Sequence, residues 1–425
     1  MKTLSVVKAA LGGGAAILLT RLLAAPAAHA STGRTVPCKA SALIAAISAA
    51  NSHGGATINL APGCTYHLTV ANNTDPMLGA TGLPMITSRI TLNGFHTTIA
   101  GNNSTFRVLL VTAPGNLTLN GLTITGGNVA APGGGIFNVE GTLTLNHSTV
   151  TGNASAGGMM AAGGGIGTGT FGTGPLGTTT LNFSQVTGNT TSGSAGGILN
   201  HGGTLVLNFS QVNGNTAAGG GGGIASGTGG MGGPGASNLV LNFSQVTGNT
   251  ANGGPMAGAG GIANGGTAAI KGSVVVGNTA PGAAGGGILN HGVMTITLSK
   301  VTGNSAPADS AGDQGIGGGI ANINLGPVAP GAVNGGILTI TTSQIRGNTA
   351  SGQGGGIFEA TITSSGPAPG GPLTLTLSQV TGNTAGQGGG IFAVPGSPVT
   401  LKLTLIARNT PDNCAPPGSV AGCKN

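Results

Sequence analysis

Residues 196–215 read GGILNHGGTLVLNFSQVNGN, and both halves of this stretch return along the chain. The first half, Gly-Gly-Ile, recurs with its isoleucine at Ile136, Ile166, Ile198, Ile224, Ile262, Ile288, Ile320, Ile357 and Ile391. The second half is a branched residue three positions before an asparagine. Its asparagines are Asn153, Asn189, Asn215, Asn249, Asn278, Asn304, Asn348 and Asn383, with Ile406 to Asn409 a degenerate ninth copy. Successive asparagines lie 36, 26, 34, 29, 26, 44, 35 and 26 residues apart, so the unit is 26 residues and the longer ones carry insertions. A floor with one-sided scatter is the pattern of stacked coils with loops.

Read in register, Leu145, Leu181, Leu207, Leu241, Ile270, Ile296, Ile340, Leu375 and Leu401 form one apolar column, and Val150 through Ile406 form another. A strand of five or six residues has one apolar face and nothing of its own to bury it against. Stacking about ten coils at about 4.8 Å supplies the missing partner, turns each column into a continuous ladder, and gives a length of roughly 50 Å. The fold expected is therefore all-β: a single-stranded right-handed parallel β-helix, a solenoid spanning residues 57–409. Its corners need φ > 0, which glycine adopts freely and asparagine tolerates best among the rest, so each Gly-Asn is read as a corner with asparagines stacking along the axis. Asn153 and Asn182 also match the glycosylation sequon, but the ladder already explains their recurrence.

Stacked arrays need capped ends. Residues 41–50, SALIAAISAA, read as an amphipathic helix with Leu43, Ile44 and Ile47 on one face, in an N-terminal cap over residues 31–56. Irregular first coils are expected around residues 57–60 and 90–93. The four cysteines form two local pairs, Cys38 with Cys64 and Cys414 with Cys423, as two disulfides in an exported chain would. Each staples one end and contributes about 2 to 4 kcal/mol; the second closes a cap over residues 410–425.

Residues 1–30 carry Lys2 and Lys8, an apolar run and a terminal Ala28-His29-Ala30, the pattern of a secretory signal cleaved after Ala30. The expected location is outside the cell or in its wall, with no membrane insertion after cleavage. Without the leader, 10 Lys and Arg face 6 Asp and Glu, a net charge of +4. These cations are scattered singly and almost without aromatics, whereas nucleic-acid binding groups cations and interleaves stacking rings, so nucleic acid is not an expected partner. Gly is abundant, 89 residues of 425, but without a three-residue period, and Leu, Ile and Val alternate in short runs, unlike a collagen-like or disordered chain.

With these residues in view, the chain resembles the pectin-lyase-like right-handed β-helix superfamily, and more closely secreted bacterial proteins with polymorphic outer membrane protein repeats, whose motifs are GGA[ILV] and FxxN. Gly134-Gly135-Ile136 and its counterparts are similar to the first motif with glycine often replacing alanine, and Val150-Thr151-Gly152-Asn153 and its kin to the second with Val or Ile replacing Phe. The resemblance spans residues 57–409 and implies surface display and adhesion; no barrel-like segment follows Asn409 in this sequence, so anchoring is not among its implications.

Enzymes of that superfamily act on polysaccharides with clustered carboxylates, calcium or a basic residue beside them. Here the acids are Asp75, Glu140, Asp309, Asp313, Glu359 and Asp412. Glu140 and Glu359 both follow a Gly-Gly-Ile strand but lie some eight coils apart, roughly 38 Å, against the about 5 to 9.5 Å of glycosidase pairs. Asp309 and Asp313 are near neighbours that would hold a calcium ion or face a sugar; two carboxylates are a thin start for an ion taking six to eight oxygens, and a solvated loop explains them as well. His201 and His291 recur in two Ile-Leu-Asn-His-Gly copies about three coils, some 14 Å, apart, too far to share a metal. His147 falls in the column of Phe183, Phe209 and Phe243 and reads as a packed substitute for phenylalanine. No nucleophile elbow, Cys-x-x-Cys, zinc motif or phosphate loop is present, and no catalytic residue or cofactor is expected.

One feature favours binding. The outward positions beside the core include Thr144, Thr180, Thr295, Thr339 and Thr374, next to Asn146, Asn182, Asn208 and Asn242. This flat, weakly charged face suits a polysaccharide, a cell-wall polymer or ice, as it also suits plain solvent. The function expected is a monomeric, non-enzymatic, adhesin-like or glycan-binding scaffold, touching its ligand there or through the Gly-rich insertions near residues 168–178, 226–238 and 322–334. The alternative is a polysaccharide lyase or glycoside hydrolase.

Overall fold

Alternation decides the first layer. In Thr142–Asn146 the leucines are buried while the threonines and the asparagine are half-exposed, and strands two residues out of step with solvent in this way need a neighbour on each edge. The computed structural model describes residues 35–102, 105–157, 161–169, 176–227, 237–253, 258–324, 336–363 and 366–425; the expected leader and the centres of the three Gly-rich insertions lie outside them. Each coil lies parallel and in register on the next, so Leu145 pairs with Leu181, Leu207, Leu241, Ile270, Ile296, Ile340, Leu375 and Leu401 in turn. The column is closed to water up to Leu375, and each full burial contributes about 1.5 to 3 kcal/mol. The protein is a right-handed parallel β-helix.

Three sheets line it. The first is one bent sheet of 22 strands: a long arm such as Thr204–Asn208, a corner, then a short arm such as Gln211–Asn213. The second carries the Gly-Gly-Ile strands, from Leu109–Thr112 to Cys414–Ala415, with Ile136 through Ile391 fully buried. The third consists of two-residue strands such as Ala154–Ser155 and Thr190–Thr191. The first sheet has twelve long-arm rungs, three more than the nine motif copies, because Gly55–Asn59, Arg89–Ala100 and Asn116–Thr125 stack in register without carrying the motif. The first coils, expected to be irregular, therefore begin at Gly55 with regular pairing, Gly55 to Arg89 through Asn59 to Asn93.

Two corners shape each coil. Between the arms, Phe183, Phe209 and Phe243 hold φ of 50 to 51°, and the serine that follows each spans the bend, as Ser184 donates its hydroxyl to the Asn182 carbonyl at 2.8 Å. After the short arm the corner falls on the glycine, with Gly214 at φ 60°, and not on the asparagine beside it. Asn215 is instead buried, and its side chain ties coils together. The triple glycines answer a third demand: a Cβ on Gly222 would stand 2.4 Å from the Gly260 carbonyl oxygen, so the chain closes onto the next coil only where no side chain exists.

The N-terminal helix spans Ala40–Ser52 and sets Leu43 and Ile47, both fully buried, over the end of the apolar interior; Ile44 is half-buried. Both disulfides are formed, with Cα separations of 5.8 Å for Cys38–Cys64 and 6.3 Å for Cys414–Cys423. The C-terminal loop extends the second sheet, where Cys414–Ala415 adds a strand to Ile391–Ala393, and it sets Val420, buried, into the end of the apolar core. Among the described residues, no helix is long and apolar enough to cross a membrane.

Candidate functional site

The flat face is present but is partly engaged with itself. Thr144, Thr180, Thr339 and Thr374 are half-exposed and Thr295 exposed, while Val206, Val240 and Ala269 interrupt the column between Thr180 and Thr295. Asn146, Asn182, Asn208 and Asn242 form an axial chain in which each side-chain amide donates to the Oδ1 of the preceding coil's asparagine at 2.8 to 2.9 Å. Half of the hydrogen-bonding capacity of these amides thus points along the axis.

Asp309 folds its carboxylate inward onto its own loop: Oδ1 accepts from the backbone of Ala311 and of Asp313, both at 2.9 Å. The Asp313 side chain is exposed, and no third His, Cys, Asp or Glu joins the pair among the described residues. Glu140 and Glu359 lie seven ladder steps apart, not eight, about 34 Å at the strand spacing. Glu359 is inside the solenoid, in the column of Asn264, Asn290 and Asn322, where burial pushes its carboxyl up to about 9 against hydrogen bonds from Asn322 and the Gly371 backbone. It faces no solvent cleft. Arg107 is likewise buried: Nη2 donates to the Pro132 carbonyl at 3.0 Å, the guanidinium lies 5.2 Å from the Phe137 ring centre, and burial lowers it to about 9 while the Asp75 charge opposes the shift.

His147 does stack on Phe183, with ring centres 5.1 Å apart and planes 6° from parallel, but the stack stands on the outside, with the phenylalanines about half-exposed.

A concave feature lies on the second sheet, at the repeated Ile-Leu-Asn-His. Strand alternation sends Ile198 and Asn200 inward and Leu199 and His201 outward; the same holds for Ile288 to His291 three ladder steps away, about 14 Å. In the two coils between, alanine replaces leucine and glycine replaces histidine, at Ala225 and Gly227 and at Ala263 and Gly265. The result is a trench of about 310 Å³ with a floor of small residues and a Leu-His pair at each end. That volume is at the lower end of ligand-sized pockets. Ser194 and Gly220 are on its flank, and among the described residues no carboxylate, lysine or arginine lines it.

The His291 ring is fixed. Its Nδ1 is 3.0 Å from the Ile323 carbonyl, which only accepts, so Nδ1 carries the proton and Nε2 is left as an acceptor. Burial lowers the His291 pKa, partly opposed by that hydrogen bond, and favours the neutral ring. The arrangement can accept hydroxyl protons and cover apolar C–H surface. It does not assemble acid and base about one bond, since the imidazoles are too far apart. From the sequence the two histidines were read as too far apart to share a metal; ILNH, IASG, IANG and ILNH aligned as neighbouring strands hold the signal for the trench, visible only once the pairing is known.

Fold and site together define a parallel β-helix with a surface trench that no carboxylate, lysine or arginine lines among the described residues. No protein-family model matches the chain, and no curated protein matches it. Among solved structures, the A-module of a mannuronan C-5 epimerase from Azotobacter vinelandii is similar, with a TM-score of 0.38 and 16% identity over 89% of this chain and 95% of that one.

Proposed function

We propose that the protein is an extracellular, non-enzymatic β-helix scaffold that binds a neutral polysaccharide in the trench between His201 and His291. The observation that carries this reading is the trench itself: a small-residue floor against which a sugar ring lays its C–H face, a neutral imidazole acceptor at the His291 end, and no carboxylate, lysine or arginine along the described lining. Two disulfides at the ends of the solenoid support an oxidising, extracellular setting. The repeat type is the GGA[ILV]/FxxN kind that the sequence resembles, and the Thr144 to Asn242 face is a secondary contact surface.

The test is calorimetric titration of the purified chain with neutral oligosaccharides (xylan, cellulose and galactan fragments) beside pectate and alginate fragments. Saturable binding of a neutral fragment, weakened at least tenfold in His291→Ala, supports the reading. Preference for the acidic fragments, or release of reducing or unsaturated ends from any of them, overturns it in favour of the lyase or hydrolase alternative.

A further inference from the structure

The last coil departs from those before it at the corner after the short arm, where packing leaves room for a side chain: a Cβ on Gly347 or Gly382 would meet nothing within 4 Å. From Gly152 to Gly382, the repeat units hold glycine at the corner after the short arm, with φ between 60 and 64°. In the final coil that corner is Arg408, with φ 60°, a left-handed conformation disfavoured for any residue with a Cβ. Left-handed strain retained against the pattern of a whole repeat points to a role for the side chain. Arg408 is exposed, and so is Lys402, which stands where the two preceding coils carry Thr376 and Thr341.

These two cations flank an open edge. Val399–Lys402 and Leu405–Ala407 pair with Leu373–Thr376 and Gln379–Thr381 on one side and with no strand on the other, among the described residues. Leu401 and Ile406, which continue columns fully buried at Leu375 and Val380, are only half-buried, and Leu403 and Leu405 are 85% and 53% exposed. The other end of the solenoid is covered by the helix, so head-to-tail stacking has no free strand to meet. A second copy of the same end does offer one. Two such edges, related by a two-fold axis, would bring unpaired backbone and half-covered leucines together.

We propose that Lys402 and Arg408 guard this edge against the same edge of a second copy and keep the chain monomeric. Any two-fold pairing of the last rung brings both cations of each copy to one seam. The last rung supplies no carboxylate to offset them. Asp412, the acid that follows, accepts the Gly389 backbone N–H at Oδ1.

Sedimentation equilibrium on the wild type and on Lys402→Thr/Arg408→Gly, which restores the residues of the preceding coil, tests the assignment. The wild type should remain monomeric across the micromolar range at physiological salt, and the double variant should dimerise. Adding Leu405→Lys should return it to monomer; the column already tolerates a lysine at Lys300. A wild type that dimerises through this edge, a double variant that stays monomeric, or a dimer indifferent to Leu405→Lys overturns the proposal. So does wild-type binding of a poly-glutamate peptide that the double variant loses, since the cations would then be a docking device.

Discussion

Asn322 donates its side-chain amide to Oε2 of Glu359 across 2.7 Å, where a column of buried polar side chains meets a carboxyl group. The other oxygen, Oε1, has no hydrogen-bond partner, and burial pushes the group from its ordinary 4.5 up to about 9. At neutral pH the folded protein therefore holds a proton that the unfolded chain has released. Below about pH 4.5 both states are protonated and nothing is lost; as pH rises from there toward about 9, the unfolded state gains by ionising and the fold weakens, by about 1.4 kcal/mol per pH unit. Glu359→Gln should abolish that slope. Denaturant midpoints should coincide for the two proteins near pH 4 and separate progressively to pH 8, with the variant the more stable.

The two asparagine ladders should differ in energy by burial. Asn249 Nδ2 donates to the Val212 carbonyl and to Asn278 Oδ1, and its Oδ1 accepts from the Asn215 side chain and backbone, all at 2.9 to 3.0 Å inside the solenoid. Asn249→Ala strands several buried groups and should lower unfolding stability by about 3 to 5 kcal/mol. Asn208 makes amide bonds of 2.9 Å to Asn182 and from Asn242, but is half-exposed, so water replaces them and Asn208→Ala should change stability by less than about 1 kcal/mol. Equal effects would mean that recurrence, and not burial, sets the worth of a ladder.

What sequence could and could not reveal follows the same division. Ile136 to Ile391 and Leu145 to Leu375 were legible because an apolar side chain must be buried wherever the period puts it, and every one is. Both end staples were legible from cysteine spacing. The corner was assigned to the Gly-Asn pair, and only the glycine turns, because buried hydrogen bonding to the coils on either side outweighs the tolerance of Asn215 for positive φ. The first two rungs were expected only as irregular coils, because Gly55–Asn59 and Arg89–Ala100 share pairing without sharing the motif. Glu359 escaped because its slot is defined by Asn290 and Asn322, residues 32 apart in sequence and adjacent in space. The trench escaped for the same reason.

Phe209 offers an inversion of the usual glycine penalty. Its ring lies 5.1 Å from Phe183 and 5.3 Å from Phe243, and its backbone sits at φ 51°. Phe209→Ala loses the stacking, worth about 1 kcal/mol, and keeps the left-handed strain; Phe209→Gly loses the same stacking and relieves a strain of about 1 kcal/mol. The glycine variant should therefore melt above the alanine variant, and a reversed order would show that the corner is not the strained point.

The trench exists because two neighbouring coils carry alanine where their column also carries Phe137, Leu199, Leu289, Phe358 and Phe392. Phe358 and Phe392 stack on each other with ring centres 5.5 Å apart, so the pleat accepts adjacent rings at this position. Ala225→Phe with Ala263→Phe should fill the floor between Leu199 and Leu289 while burying apolar surface, leaving the melting temperature unchanged or raised. If a neutral saccharide occupies the trench, this variant loses its binding at least tenfold with the fold intact, which separates a blocked site from a damaged one. Undiminished binding by the filled variant would move the contact to the Thr144 and Asn146 face, where Thr144→Lys with Thr180→Lys is the corresponding block.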